Sequence, residues 1–223
     1  MATNAWEKKD PVNGYDPTSD GSSPSQGNIC AYDPNDQKVK CVQGDNYIFQ
    51  SYVYSTNTWT KHTNYGTTVV GYATTAVVDP QRQVMFFFGS NGSGSLRIHS
   101  ISLASGTTYA VTDLHAGSSG CSAIGVDWPG VTLDTSRGLI AIYPNNGNSI
   151  YLYNPDTGVC SAHTLASGPP TATTSGTFGR FRYVPALGKY VVCLDTNANC
   201  YTLTPERSPI SGNVKSSGKV SLQ

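Results

Sequence analysis

The chain has 223 residues, and 14 Lys and Arg balance 14 Asp and Glu, so the formal net charge is zero. Without a basic excess to neutralise phosphates, nucleic acid is not an expected partner. No run approaches the roughly 20 apolar residues of a membrane helix, so membrane insertion is not expected either.

The N-terminal segment has no apolar run of the kind found in a secretory signal, so we expect no signal in residues 1–10. Residues 3–8 (TNAWEK) closely match residues 56–61 (TNTWTK) further along the chain. Residues 11–27 are rich in Pro, Gly, Ser and Asp and are predicted to be a connection. Within them, residues 16–21 (DPTSDG) lack the spacing of an EF-hand, so we predict no calcium site.

One short phrase then recurs four times: an apolar strand, a turn and a second apolar strand. The phrases align on Asp33, Asp79, Asp134 and Val184, which lie 46, 55 and 50 residues apart. Periods of this size are typical of the blades of a β-propeller. A single blade cannot bury both of its faces, so the repeats predict one all-β domain of stacked blades.

The second repeat shows the strand pattern of a blade most clearly. Its predicted strands are residues 73–78, 84–88, 96–103 and 107–111. The continuous apolar run 84–88 is typical of a strand that is covered on both faces. Asp33, Asp79 and Asp134 are predicted to form turns, because an Asp side chain readily accepts a hydrogen bond from its own turn.

The last repeat supplies only three predicted strands, at residues 181–183, 189–193 and 200–203. Because residues 3–8 match the fourth-strand phrase of the first repeat, we predict that an N-terminal strand completes the last blade and closes the ring. The predicted domain is a four-bladed propeller, each blade with four antiparallel strands, over residues 1–205. Its blades lie at about residues 28–64, 70–113, 121–166, and 175–205 plus 1–10, and a flexible polar tail follows at residues 206–223. The alternative is a fragment of a larger propeller that closes by pairing with a second chain.

The six cysteines fall into three plausible pairs. Cys30 and Cys41 flank one predicted hairpin turn, and Cys193 and Cys200 flank another. Opposed residues of antiparallel strands lie within disulfide range, so each pair could be bonded. The remaining two, Cys121 and Cys160, lie near the start and end of one repeat. Three disulfides would indicate an oxidising compartment, whereas the alternative is six buried thiols.

The chain resembles the kelch-like propellers, the superfamily that includes the propeller domain of galactose oxidase. The features that carry the resemblance are the Asp-Pro turn after the first strand, the pair Tyr54 and Trp59 around a short turn, and residues 176–185 (GTFGRFRYVP). The resemblance covers most of residues 1–205 and implies a propeller fold.

Enzymatic sites are poorly supported by the sequence. A copper oxidase of the galactose-oxidase type needs two His and two Tyr ligands, but His62 and His163 are expected at the solvent-facing outer rim. No G-x-S-x-G motif is present, which argues against a hydrolytic serine. A glycosidase would need paired carboxylates, and the recurrent aspartates already serve as turn formers. We therefore predict no catalytic residue, no metal and no cofactor.

Aromatic residues are the best candidates for a binding surface. Those predicted in strands, such as Tyr52, Tyr54, Trp59 and Tyr201, are assigned to the core. Aromatic and polar residues in the predicted loops could instead contact a sugar or a protein. These candidate binding residues are Tyr47, Tyr65, Tyr72, Trp128, Asp127, Asn145 and Asn146. The alternative is ordinary packing between blades.

Three functional hypotheses follow. The first is a non-catalytic recognition module, extracellular or at the cell surface, that binds a glycan or protein partner through propeller loops. The second is a structural protein, such as a virion or surface decoration domain, that forms a homo-oligomer or larger assembly. An extracellular oxidase or glycosidase-like enzyme is the third and least supported.

Overall fold

A computed structural model describes most of the repeat region. The described residues are 28–43, 48–64, 74–90, 96–104, 109, 111–114, 120–121, 128–144, 147–169, 176–194 and 200–205. Within them the chain forms four antiparallel sheets and one short 3₁₀ turn. None of the helical structure in this part of the chain has the length and apolar character of a membrane span.

The first two sheets are four-stranded meanders. The first contains β1 (Asn28–Asp33), β2 (Lys38–Gln43), β3 (Ile48–Val53) and β4 (Thr58–Asn64). The second contains β5 (Thr75–Asp79), β6 (Val84–Ser90), β7 (Leu96–Ser102) and β8 (Val111–Asp113). In both sheets each strand pairs with the next one along the chain.

The third and fourth sheets follow the same order. The third contains β9 (Gly130–Asp134), β10 (Leu139–Tyr143), β11 (Ser149–Asn154) and β12 (Val159–Thr164). The fourth contains β13 (Phe181–Val184), β14 (Lys189–Val192) and β15 (Tyr201–Leu203), with the 3₁₀ turn Phe178–Arg180 before it. Three strands are described in this last sheet, as the sequence predicts.

The repeat alignment corresponds to the ends of four strands. Asp33, Asp79, Asp134 and Val184 are the last residues of β1, β5, β9 and β13. The fourth strand of the second repeat differs from its prediction. It extends to Asp113, two residues beyond its predicted end at residue 111, and Val111 lies opposite Ile101.

The three aligned aspartates form turns as predicted. Each is buried, and each carboxylate accepts a hydrogen bond from the backbone N–H two residues later, at 3.0 Å in all three turns. The donors are the amides of Asn35, Gln81 and Ser136. A buried carboxylate is therefore used to close the hairpin in each of the first three sheets.

The described residues form three hydrophobic core clusters, each between successive sheets. On β6, Met85 and Phe87 pack with residues of the first sheet, whereas Phe86 and Phe88 pack with residues of the third. Alternate side chains of a strand point to opposite faces, so this apolar run is buried on both sides as expected. The third cluster joins Tyr143 and other residues of the third sheet to residues of the fourth. The sheets are thus stacked in chain order, which is the arrangement of a β-propeller.

All three predicted disulfides are confirmed. Cys30 and Cys41 are directly opposed on β1 and β2, with their Cα atoms 4.2 Å apart. Cys193 is bonded to Cys200 across the last hairpin, with a Cα separation of 4.3 Å. The bond between Cys121 and Cys160 spans 39 residues, and both cysteines belong to the cluster between the second and third sheets. Three disulfides are typical of proteins from an oxidising compartment.

Several predictions lie outside the described residues. These are the N-terminal closing strand (1–10), the connection at 11–27 and the tail at 206–223. Two core assignments are wrong. Tyr54 is 66% exposed because it lies in the turn after β3, and Tyr201 is 41% exposed on the outermost described strand of the last sheet.

Candidate functional site

The first strands of the four sheets contact each other in succession. β1 contacts β5, β5 contacts β9, and β9 contacts β13, while each of these strands is the edge of its own sheet. The four strands therefore adjoin along a common axis, as the innermost strands of propeller blades do. We call the space beside them the axial cavity.

The axial cavity has a volume of about 530 Å³ and lies beside the first strands of the first, second and fourth sheets. Its lining consists of residues 29–32, residues 74–78, Phe178, Gly179 and Arg182. The side chains of Ile29, Ala76 and Val78 in this lining are buried. Tyr32 is 56% exposed, and Arg182 is also exposed. The cavity therefore combines an apolar wall with an aromatic hydroxyl and a guanidinium group.

Arg182 is the charged group of the described lining. No carboxylate in the described part of the chain lies within ion-pair distance of its guanidinium. Gly179 lies directly beside it, because a Cβ atom added to that glycine would be 3.2 Å from Arg182 Nη2. The absence of a side chain at position 179 thus leaves room for the guanidinium.

The segment before β13 is fixed by hydrogen bonds. The carbonyl of Trp128 accepts the backbone N–H of Thr177 at 2.9 Å and that of Phe178 at 3.5 Å. Arg180 donates its Nη1–H to the carbonyl of Gly176 at 2.9 Å. Phe178 has a φ of +41°, which is an uncommon conformation for a residue other than glycine. This anchored segment sets the position of Phe178 and Arg182 in the cavity wall.

Side chains also join the sheets that form the walls. Asn35 donates to the carbonyl of Pro80 at 2.6 Å, linking the turns of the first and second sheets. Arg82 donates to Asp79 in its own turn and to Asp156 in the third sheet. The hydrogen bonds that Arg82 donates to Asp156 and Asp79 outweigh the cost of burial and raise the pKa of Arg82, so this bridge stays charged.

The third and fourth sheets share a buried network. The Tyr190 hydroxyl donates to Asp134 Oδ2 at 2.7 Å, and Arg137 Nε donates to the same oxygen at 2.7 Å. Burial alone would raise the pKa of Asp134, but hydrogen bonds from Ser136, Tyr190 and Arg137 more than offset it and lower the pKa. Burial, with the hydrogen bond to Asp134, raises the pKa of Tyr190. Asp134 is therefore an ionised acceptor that ties two sheets together.

One predicted binding residue is described. Trp128 is half-buried, with a φ of +58°, and its carbonyl anchors the segment beside the cavity. The other candidates lie outside the described residues, so their grouping stays a prediction: Tyr47, Tyr65, Tyr72, Asp127, Asn145 and Asn146.

The sequence did contain a signal for the cavity. The residue two positions before each aligned strand end is Ala31, Val77, Thr132 and Arg182 in the successive repeats. Ala31, Val77 and Arg182 line the cavity, while the Thr132 hydroxyl accepts the N–H of Tyr183 at 3.0 Å. Comparison of this one position across repeats would have identified Arg182 as the charged exception.

The histidines differ from each other more than expected. His163 is exposed on β12, as predicted, and its Nε2 lies 3.2 Å from Ser161 Oγ. The prediction for His62 is wrong, because this side chain is half-buried against Phe49 and Tyr109 and bonds to Ser51 at 2.9 Å. In the part of the chain that the structure describes, no three His, Cys, Asp or Glu side chains form a group that could hold a metal ion.

Comparison with known proteins gives fold neighbours only. No protein-family model matches the chain. No curated protein matches it either. An auxiliary nutrient binding protein from Bacteroides ovatus superposes with a TM-score of 0.53 and 16% identity, over 79% of this chain and 38% of that one. A structural genomics protein from Bacteroides thetaiotaomicron gives a TM-score of 0.50 and 14% identity, over 74% and 43% of the two chains. This chain thus spans less than half the length of either protein, and the likeness is one of fold.

Proposed function

We propose that the chain is a non-catalytic recognition module that binds a glycan partner at the axial cavity and the loops around it. The axial cavity is the observation that carries this proposal. Its volume of about 530 Å³ falls in the usual range of ligand pockets, about 300 to 1,000 Å³. Its lining combines the apolar side chains of Ile29, Ala76 and Val78 with polar groups, among them Tyr32 and Arg182, that could orient a ligand.

The free edges of the innermost strands supply further hydrogen-bonding groups. β1 and β5 are edge strands of the described sheets, and residues 29–32 and 74–78 belong to the cavity lining. An unpaired strand edge presents alternating N–H and C=O groups. A sugar carries hydroxyls that both donate and accept, so it suits this lining better than a purely apolar ligand does.

A glycan suits this site better than a folded protein partner. A stable protein interface covers about 800 Å² on each partner, whereas the axial cavity admits only a compact group. The neighbour from Bacteroides ovatus is described as an auxiliary nutrient binding protein, so its fold is compatible with ligand binding. The three disulfides support an extracellular or cell-surface location.

A glycan array with the purified chain tests this function. We expect saturable binding that is lost in Ala31→Trp, which places an indole in the cavity. Val159→Trp is the matched control, because Val159 is 43% exposed on β12 and outside the cavity lining. Binding to no glycan, or equal binding by the two variants, would refute the proposal.

An assembly function is the second candidate. Tyr32, Tyr54 and Leu187 are 56%, 66% and 62% exposed, and all lie in or beside the hairpin turns. Exposed apolar residues that cluster mark contact sites, and a virion or surface decoration domain would use them this way. Sedimentation of the chain would then show concentration-dependent oligomers, which Tyr54→Ser with Leu187→Ser would abolish.

We also propose that residues 3–8 complete the fourth sheet and close a four-bladed ring. In the first sheet Tyr52 is paired with Trp59, and their rings are 5.0 Å apart. Val39 on β2 and Tyr190 on β14 are equivalent residues of their sheets. Val39 pairs with Tyr52, and Tyr190 pairs with Leu203, so Leu203 is the equivalent of Tyr52 in the fourth sheet.

Repeat equivalence therefore places Trp6 opposite Leu203. Leu203 borders a cavity of about 150 Å³ between the third and fourth sheets, which an indole would cover. The variant Trp6→Cys with Leu203→Cys should form a disulfide, detected by non-reducing peptide mapping. Glu7→Cys with Leu203→Cys is the control, because adjacent strand residues point to opposite faces. Equal cross-linking of both pairs would contradict this register.

A further inference from the structure

Arg182 gives the axial cavity a positive charge that no carboxylate of the described residues pairs with. The equivalent positions in the other repeats are Ala31, Val77 and Thr132, none of which is charged. Arg182 also has the buried side chains of Ile29 and Val78 as neighbours in the lining, rather than a described carboxylate. A cation in such surroundings gains most from an anionic ligand, because a charge-assisted hydrogen bond is about twice as strong as a neutral one.

The geometry points to a single-charged, planar anion. A guanidinium binds a carboxylate through two parallel N–H···O bonds. A phosphate monoester carries a charge of about −1.5 to −2 near neutral pH, which calls for more than one cation. Arg182 is the sole cationic side chain that the described part of the lining contains, so one negative charge matches it.

We infer that the axial cavity binds a sugar residue that bears a carboxylate, with Arg182 as the partner of the carboxylate. This inference rests on the recognition function proposed above and names its ligand class. Tyr32 and Phe178 supply aromatic surface for the apolar side of the sugar ring, as amphipathic contacts do at many binding sites. The sugar hydroxyls would bond to the edges of β1 and β5, which border the cavity.

Titration calorimetry with matched acidic and neutral sugars tests the inference. The probes are trigalacturonate against its fully methyl-esterified form, and 3′-sialyllactose against lactose. We expect at least one acidic probe to bind about tenfold or more tightly than its neutral counterpart. That preference should weaken as salt is raised, because an exposed charge is screened.

The Arg182 variants supply the decisive comparison. Arg182→Gln should abolish the preference for the acidic sugar, so that the acidic and neutral sugars bind with similar affinity. Arg182→Lys should retain part of it, because a lysine keeps the charge but lacks the planar fork. Lys61→Gln makes the same charge change on β4, at the opposite edge of the first sheet from β1, and should have no effect.

The outcomes separate this inference from the function on which it rests. Neutral sugars that bind as well as acidic ones, with binding lost in Ala31→Trp, would overturn the carboxylate inference and leave the recognition function standing. Tighter binding of an acidic peptide than of either acidic sugar would overturn the sugar class. Absence of binding to every sugar would overturn both.

Discussion

The junctions between successive sheets differ from the space beside the first strands of the sheets. At the junctions, apolar clusters are reinforced by side-chain hydrogen bonds, from Asn35 between the first two sheets to Tyr190 between the last two. Beside the first strands, β1, β5 and the segment that contains Phe178 and Arg182 border an open cavity of about 530 Å³. The same repeated unit thus builds both a packed junction and a ligand-sized opening.

This difference shows where variation among repeats is informative. At the junctions the repeats keep a buried Asp at the strand end, which closes the turn in three of the four sheets. In the cavity wall the equivalent residues range from alanine to arginine. A residue type that recurs at equivalent positions of the repeats therefore has a role in the turns and in the stacking of the sheets. A residue type that differs from its equivalents, such as Arg182, identifies a candidate binding site. Variants at the junctions should therefore lose the most stability, and variants in the cavity wall should lose less.

The largest effect is expected from loss of the disulfide beside the junction between the second and third sheets. In the chain-entropy model, Cys121→Ser with Cys160→Ser removes a 39-residue constraint and costs about 4 kcal/mol. Cys193→Ser with Cys200→Ser opens a separation of 7 residues and costs about 2 kcal/mol. Urea denaturation measures the loss of unfolding free energy in both double variants. A larger loss for the Cys193 and Cys200 variant than for the Cys121 and Cys160 variant would contradict this interpretation of the junction.

A second large loss is expected at the junction between the third and fourth sheets. Asp134→Ala leaves Arg137 and the Tyr190 hydroxyl without their shared acceptor, and breaking a buried ion pair costs about 3 kcal/mol or more. Chemical denaturation gives the value. Asp156→Ala is the matched control, because it removes the partner of Arg82 at an exposed position and should change the midpoint little. Similar losses in the two variants would show that burial is not what distinguishes these bridges.

A smaller effect is expected in the segment that supports the cavity wall. Gly176 has a φ of +78°, and a Cβ atom there would lie 2.1 Å from Trp128 Cβ. Gly176→Ala should therefore cost about 2 kcal/mol or more and reduce ligand binding. Gly188→Ala has a similar φ of +59° but open space, so it should cost only about 1 kcal/mol. Thermal unfolding gives the stability of both variants, and calorimetry gives their ligand affinity. The difference between the two variants measures the steric clash of the added Cβ atom, because both share the backbone strain of a positive φ.

The smallest effect concerns acid sensitivity of the first sheet. Burial, together with the charges of Lys40 and Lys38, lowers the pKa of His62, while Asp36 acts in the opposite sense. The unfolded chain therefore binds a proton more readily than the fold does, and stability falls as pH drops through the ordinary histidine pKa of about 6.5. His62→Gln should reduce the loss of stability between pH 7 and 5. Unchanged pH dependence in this variant would contradict the assignment.

Much of the fold was predictable because it depends on local pattern. The aligned strand ends, the turn-forming aspartates and the pairing of Cys30 with Cys41 all follow from spacing along the chain. Predictions of burial were wrong where the surroundings of a residue depend on residues that are distant in the sequence. Tyr54 was assigned to the core by its spacing but lies in a turn, and His62 is half-buried because Tyr109, which lies between β7 and β8, packs on it.

The candidate site was less predictable for a similar reason. The cavity brings together β1, β5 and Arg182, which are far apart in sequence and meet only when the sheets stack. Loop aromatics offered the plainest signal, yet Trp128, the described member of that set, anchors the wall through its backbone carbonyl. Composition could not reveal that role, because it arises from backbone geometry.

A crystal structure of the protein grown with trigalacturonate would show directly whether the axial cavity binds a sugar carboxylate. The account predicts a sugar in the axial cavity, with its carboxylate in hydrogen-bond contact with the guanidinium of Arg182. A sugar bound on the outer strands, or a cavity filled by the chain's own residues, would contradict it.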